Sequence, residues 1–154
     1  MKKLFAISAI LLLIAGCSPR DESPLPSAIL HLEKTETLTG EEAAEVINHL
    51  HQKEVTPAEN FVGRYEGEGH SATYYLSLYG SSEEALAELD AMVESMERGG
   101  HVFDHIRKIA IQDHDVWMAL GMGQAHYFYA EDNRLIWLAA DVPVAEDAIA
   151  SLLE

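Results

Sequence analysis

Apolar and polar positions along this chain follow two different periods, and the changes of period mark its elements. Ala43, Val46, Ile47 and Leu50 recur at helical spacing, and Thr39 and Glu42 stand at the two ends of a capping box. A helix is expected over roughly 41–53, ending before the Val55-Thr56-Pro57 breaker. Ser81 and Glu84 repeat the capping-box spacing and open a second helix. Leu86, Leu89, Met92 or Val93, and Met96 lie on one face of it, and Glu83, Glu88, Glu94 and Glu97 lie largely on the other. Gly99-Gly100 stops it, which places it over roughly 81–98. After Pro143, a short third helix is expected over roughly 145–153.

Between the helices the period drops to two. Phe61 to Glu66, the Gly67-Glu68-Gly69 turn and Ala72 to Tyr79 read as a hairpin, with Tyr74, Leu76 and Leu78 facing away from Tyr75, Ser77 and Tyr79. Phe103 to Gln112 alternates, and Asp113-His114-Asp115 reads as a turn. Val116 to Leu120 is apolar, and Gly121 and Gly123 suggest a bulge or bend after it. Gln124 to Ala130 is rich in aromatics, Glu131-Asp132-Asn133 is a tight connection, and Arg134 to Ala140 is an apolar strand holding Trp137. Ala28 to Leu38 fits a short strand and an irregular lead-in equally well. The order is helix, two strands, helix, three or so strands, helix. Short turns imply antiparallel pairing, and helices kept to one face imply two layers. The expected fold class is α+β: a single small two-layer domain over 39–154, with an antiparallel sheet of about five strands.

The first residues are of another kind. Lys2 and Lys3 precede an apolar stretch, Leu4 to Ala15, relieved only by Ser8, and Gly16-Cys17 follows. A charged start, an apolar run of about 7–15 residues and small residues at a cut describe an export signal. The run is short of the ~20 residues that a membrane span needs. Pro19, Pro24 and Pro26 follow at once, so no amphipathic helix continues from it.

Ile14-Ala15-Gly16-Cys17 resembles the lipobox of bacterial lipoproteins, a resemblance that covers about the first 18 residues. It implies a signal peptide over 1–16, a diacylglyceryl group on the Cys17 thiol, and cleavage before Cys17. A third acyl chain on the new amino terminus is added in many bacteria with two membranes. Each buried methylene contributes about 0.8 kcal/mol, so two or three chains make release very slow. Ser18 stands where retained inner-membrane lipoproteins usually carry Asp, so the resemblance favours an outer-membrane address facing the periplasm, if the organism has two membranes. Residues 17–38 are expected to be the lipidated cysteine and a flexible tether, with Ser, Pro and charged residues between Ser18 and Ser27.

Composition narrows the function classes. The chain has 154 residues, which suits one domain, and a formal net charge of −16. Removing residues 1–16 takes away Lys2 and Lys3 and no acid, so −16 becomes −18. Such a surface repels nucleic acid and anionic headgroups; it keeps an exported protein soluble and favours cationic partners or divalent ions. Cys17 is the only cysteine, which excludes an intrachain disulfide and a cysteine nucleophile beyond the anchor.

Candidate chemistry is sparse. No HExxH, P-loop or EF-hand pattern occurs. Tyr79-Gly80-Ser81-Ser82 lacks the second glycine of a nucleophile elbow, and Gly121-Met122-Gly123 lacks the third glycine and following helix of a dinucleotide fingerprint. The expectation is a non-enzymatic envelope lipoprotein, a binding or accessory module without a cofactor. Its partners would be the membrane and an envelope protein.

The alternative is a divalent-metal lipoprotein for Zn or Cu, because eight histidines accompany many carboxylates. Its candidate ligands are His49, His51, Asp113, His114 and Asp115. Spacing argues against easy chelation. His49 and His51 point about 200° apart on a helix. His101 and His105, four apart on a strand, are separated by about 13 Å. A concave aromatic face built from the tyrosines and tryptophans is a further possible ligand surface. The anchor has a direct check: Cys17→Ser should abolish lipid labelling and leave uncleaved precursor, and labelling that persists would refute it.

Overall fold

The computed structural model describes residues 23–51, 59–99 and 102–154. Cys17, the expected signal peptide, His101 and the Val55-Thr56-Pro57 breaker lie outside the described residues. The chain forms β1 (Ala28–Ile29), β2 (Leu32–Thr39), α1 (Gly40–His51), β3 (Glu59–Gly67), β4 (His70–Leu78) and α2 (Ser82–Glu97). It continues through β5 (Phe103–Ile111), β6 (His114–Gly121), β7 (Gln124–Glu131), β8 (Arg134–Asp141) and α3 (Val142–Ala150). All strands pair antiparallel in one curled half-barrel sheet, in the order β1-β2-β3-β4-β8-β7-β6-β5.

The expected two-layer domain with about five strands is therefore wrong: the sheet has eight strands and carries helices on both faces. Two physical reasons account for the difference. The first lies in the turns. Gln112 and Asp113 (φ 47° and 67°) and Met122 and Gly123 (φ 52° and 80°) are all left-handed. These are the two-residue connections whose twist matches a hairpin. Gly121 and Gly123 thus flank a reversal between β6 and β7 instead of bending one strand. His114 and Asp115, expected in a turn, belong to β6. The Ala28–Leu38 segment, open between strand and lead-in, folds as β1 and β2.

The second reason is burial on both faces of the middle strands. From Leu135 to Ala140 every residue of β8 is buried. Ile136, Leu138 and Ala140 face α3, whereas Leu135 and Trp137 face α2. Tyr127 and Tyr129 face α3, and Phe128 faces α2. α1 packs through Ala43 and Ile47 on Val62 beside α2. A strand buried on both faces shows a continuous apolar run and no alternation, which hides its two-sidedness from pattern reading.

Helix boundaries shift for local reasons. α2 keeps its expected cap: Ser81 Oγ accepts from the Glu84 N–H at 3.2 Å, and Glu84 reaches back to accept from the Gly80 N–H at 2.9 Å. α3 starts at Val142 because Pro143 sits inside its first turn, where no N–H partner is needed. It lies over a row of small residues, Ala72 opposite Ala140 and Ala140 opposite Ala125. Its own Ala145 and Ala148 join the same core. Small side chains on both sides set the close approach of helix to sheet. Ala140→Leu should overpack this contact and cost about 1–3 kcal/mol, read as a lower denaturation midpoint. An unchanged midpoint would show that α3 is not seated on that row.

Candidate functional site

The turn between β3 and β4 and the junction between β8 and α3 meet at one end of the sheet and leave an open groove of about 540 Å³. Thr35, Glu66, Gly67, Gly69, His70, Ser71 and Asp141 line it. The hairpin tip is Glu68-Gly69, both left-handed at φ 53° and 81°. Beside it, His31 Nε2 and Glu68 Oε2 lie 3.6 Å apart. Thr35 sits at a bulge in β2, where its hydroxyl donates to the Arg64 carbonyl at 3.2 Å.

Asp141 organises the groove. It stands at the start of α3 but makes no side-chain cap. One carboxylate oxygen accepts from the Ser71 N–H at 2.7 Å and from the Ser71 hydroxyl at 3.2 Å. The other accepts from Gln124 Nε2 at 3.2 Å. The side chain thus ties β4 and β7 to the last residue of β8. Burial works to raise its pKa, but the bonds from Ser71 and Gln124, with His70 nearby, outweigh it and hold the carboxyl below the usual range.

These bonds also decide what the groove can do. The Ser71 hydroxyl donates its proton to Asp141 and so fixes the direction in which the Ser71 oxygen faces the groove. Glu66 and Asp141 make the lining acidic, and His70 stands beside them. A smaller groove of about 320 Å³ lies at the start of α1, where Asn60 and Glu59 meet Gly40 and Glu41. The Asn60 side-chain oxygen there accepts from Ser77 Oγ at 2.9 Å.

The residues singled out as metal ligands fall in two places. His49 is exposed on α1, which packs against β2 and β3. His51 ends that helix, and its side chain lies outside the described residues. Asp113, His114 and Asp115 are exposed around the β5–β6 turn. In the sheet, β4, β8 and β7 intervene between β3 and β6. Asp115 is paired with Lys108 at 2.8 Å. Among the described residues, no group of three or more His, Cys, Asp or Glu side chains is placed to hold a metal ion. The aromatics are spent differently from the suggested ligand face. Tyr74, Tyr127 and Tyr129 are only 6–7% exposed and belong to the core under α3.

Sequence reasoning passed over His126. It is 1% exposed, on the α2 side of β7, between Phe103 and Trp137. The available signal was one polar residue inside a run, Ala125 to Tyr129, that is buried throughout. Comparison with family models, curated proteins and solved structures finds no match to this chain.

The Asp141 staple predicts a pH effect. Its charged form is favoured in the fold, so its stabilisation is present above the ordinary value of 3.8 and is lost as pH falls through its lower native value. Asp141→Asn should flatten that acid limb of the stability profile and cost about 1 kcal/mol at neutral pH. Chemical denaturation across pH 2–7 reads both effects, and an unchanged acid limb would assign it to other carboxylates.

Proposed function

We propose that this chain is a lipid-anchored, non-enzymatic binding module of the bacterial envelope. Its ligand would sit in the groove beside Asp141. The observation that carries the reading is Ile14-Ala15-Gly16-Cys17 at the end of a charged and then apolar leader. Support comes from the polar residues that follow Cys17 and from the strongly acidic composition, which suits an exported protein held near but not against anionic headgroups. The groove adds a preformed concavity whose polar groups bond one another in the manner of a rigid recognition surface. The acidic lining favours a ligand that brings positive charge or hydrogen-bond donors. On this reading the chain faces the periplasm from the outer membrane of a two-membraned cell.

Photo-crosslinking in intact cells tests it. A crosslinking residue at Thr35 or Glu66, on the groove, should give a discrete adduct that disappears when Cys17→Ser leaves the chain as unlipidated precursor, short of the outer membrane. The same residue at Glu94, on the outer face of α2, should give none. Absence of any groove adduct would remove the binding reading. A chelator-reversible thermal shift with Zn or Cu, lost on replacing His114, would instead favour the metal-handling alternative.

A further inference from the structure

The aromatic cluster beneath α2 contains a polar centre with a fixed protonation state. Trp137 Nε1–H donates to His126 Nδ1 at 3.0 Å, and His126 Nε2 lies 3.0 Å from the Gly121 carbonyl oxygen. An indole nitrogen only donates and a carbonyl oxygen only accepts. His126 must therefore be neutral, with its proton on Nε2 and a lone pair on Nδ1. Phe103 closes over the ring edge-on, with centroids 4.9 Å apart and an interplanar angle of 75°. It can do so because its partner across the ladder is Gly121: a Cβ there would lie 2.6 Å from the Phe103 ring and 2.8 Å from the Val102 carbonyl.

Phe103 opens β5, the edge strand of the sheet. The ladder to β6 is broken by a bulge between Asp104 and Arg107, where His105 is left-handed at φ 57°. Phe103 and Asp104 are thereby cut off from the regular pairing of Arg107 to Ile111. The Phe103 ring is the anchor of this end, and it rests on His126 and Trp137, 4.9 and 5.5 Å away by ring centroids.

We propose that His126 is an acid-operated latch on the start of β5: the neutral ring holds Phe103 down, and protonation releases it and opens the aromatic cluster to water. A proton at Nδ1 would set an imidazolium N–H against the indole N–H, two donors face to face, and would put a charge in an apolar site. The residues bonded to the ring or packed on it edge-on are Phe103, Gly121 and Trp137, its cross-strand neighbours are Ala119 and Ala139, and none of these titrates between pH 5 and 8. On β5, Asp104 and His105 are exposed; on α2, Glu97 is exposed and Glu94 is paired with Arg98. Burial lowers the affinity of the ring for a proton, and the Gly121 bond raises it less. The sign follows: the latch is closed above the ordinary histidine value of 6.5 and weakens as pH falls below it.

Hydrogen exchange of the full-length chain in detergent micelles tests this. After correction for intrinsic rates, opening at the Asp104 amide, which faces Leu120 across the ladder, should grow by up to about tenfold per pH unit below 6.5. The amides of β4 and β8 should stay protected over the same range. In His126→Gln the side chain can still accept from Trp137 and donate to Gly121 but does not titrate, so the opening should be flat with pH. An equal rise in that variant would overturn the proposal. Should the variant fail to fold, imidazole nitrogen shifts of the wild type decide: a ring protonated at pH 5.5 with unchanged exchange at Asp104 also overturns it.

Discussion

The pairing of β4 with β8 is the contact on which the remaining architecture depends. It joins two meanders, β2-β3-β4 and β5-β6-β7-β8, that are otherwise separate in the chain. Ala72 to Leu78 lies opposite Ala140 to Arg134 without an interruption. For β8 to reach β4, the chain must leave β4, cross to the far edge and return strand by strand. α2 makes that crossing and covers the face over which it passes. Placing β8 in the middle then obliges it to be apolar on both sides, because α3 occupies the face opposite α2. Ile136 and Leu138, at 2% and 0% exposure, each contribute on the order of 1.5–3 kcal/mol by burial. Trp137 and Leu135 do the same for the other face.

Local backbone chemistry keeps that arrangement in register. A slip of one residue would turn every inward side chain outward, and the two-residue turns forbid it. Their left-handed residues at Glu68, Asp113 and Met122 carry strain that the flanking ladders offset. Tyr65 supplies another restraint. Its ring lies over Gly63, where a Cβ would come within 2.7 Å of the phenolic oxygen. Its hydroxyl donates to the Pro26 carbonyl at 2.9 Å. The segment that leads in from the amino-terminal side is thereby fastened to the same core, with Leu25 and Ile29 buried in it.

What could be read from the sequence was whatever has a local cause. The Ser81-Glu84 cap and the α2 stripe of Leu89, Met92, Val93 and Met96 depend on near neighbours, and the helix stands within a residue of its expected bounds, although Leu86, expected on the same face, is exposed. The Phe61–Tyr79 hairpin was legible for the same reason. Strand count and layering were not. Gly121 and Gly123 look alike in a bulge and in a turn, and only the pairing of Gly121 with Gln124 separates the two. Arg134 to Ala140 looks alike whether one or two layers of helix cover it. The groove was illegible because Thr35, Ser71, Gln124 and Asp141 come from four strands and share no motif. His126 was hidden because its partners, Gly121, Phe103 and Trp137, are brought to it by the sheet.

The two faces of the sheet differ in a way that bears on where the molecule can change shape. The α3 side is apolar apart from its tyrosines, and its helix is seated on alanines at close range. Among the described residues, the titratable side chains buried on that face are tyrosines, which burial holds neutral. The α2 side carries the buried polar groups instead: Asn60 bonded to Ser77, and His126 between Trp137 and Gly121. Buried polar pairs bond well in one arrangement and poorly in others, whereas methyl groups tolerate small shifts. The edge strand β5 is attached over that second face, next to a bulge and a side-chain-free Gly121. Rigidity is therefore concentrated at β4, β8 and α3, and the capacity to open is concentrated at the start of β5.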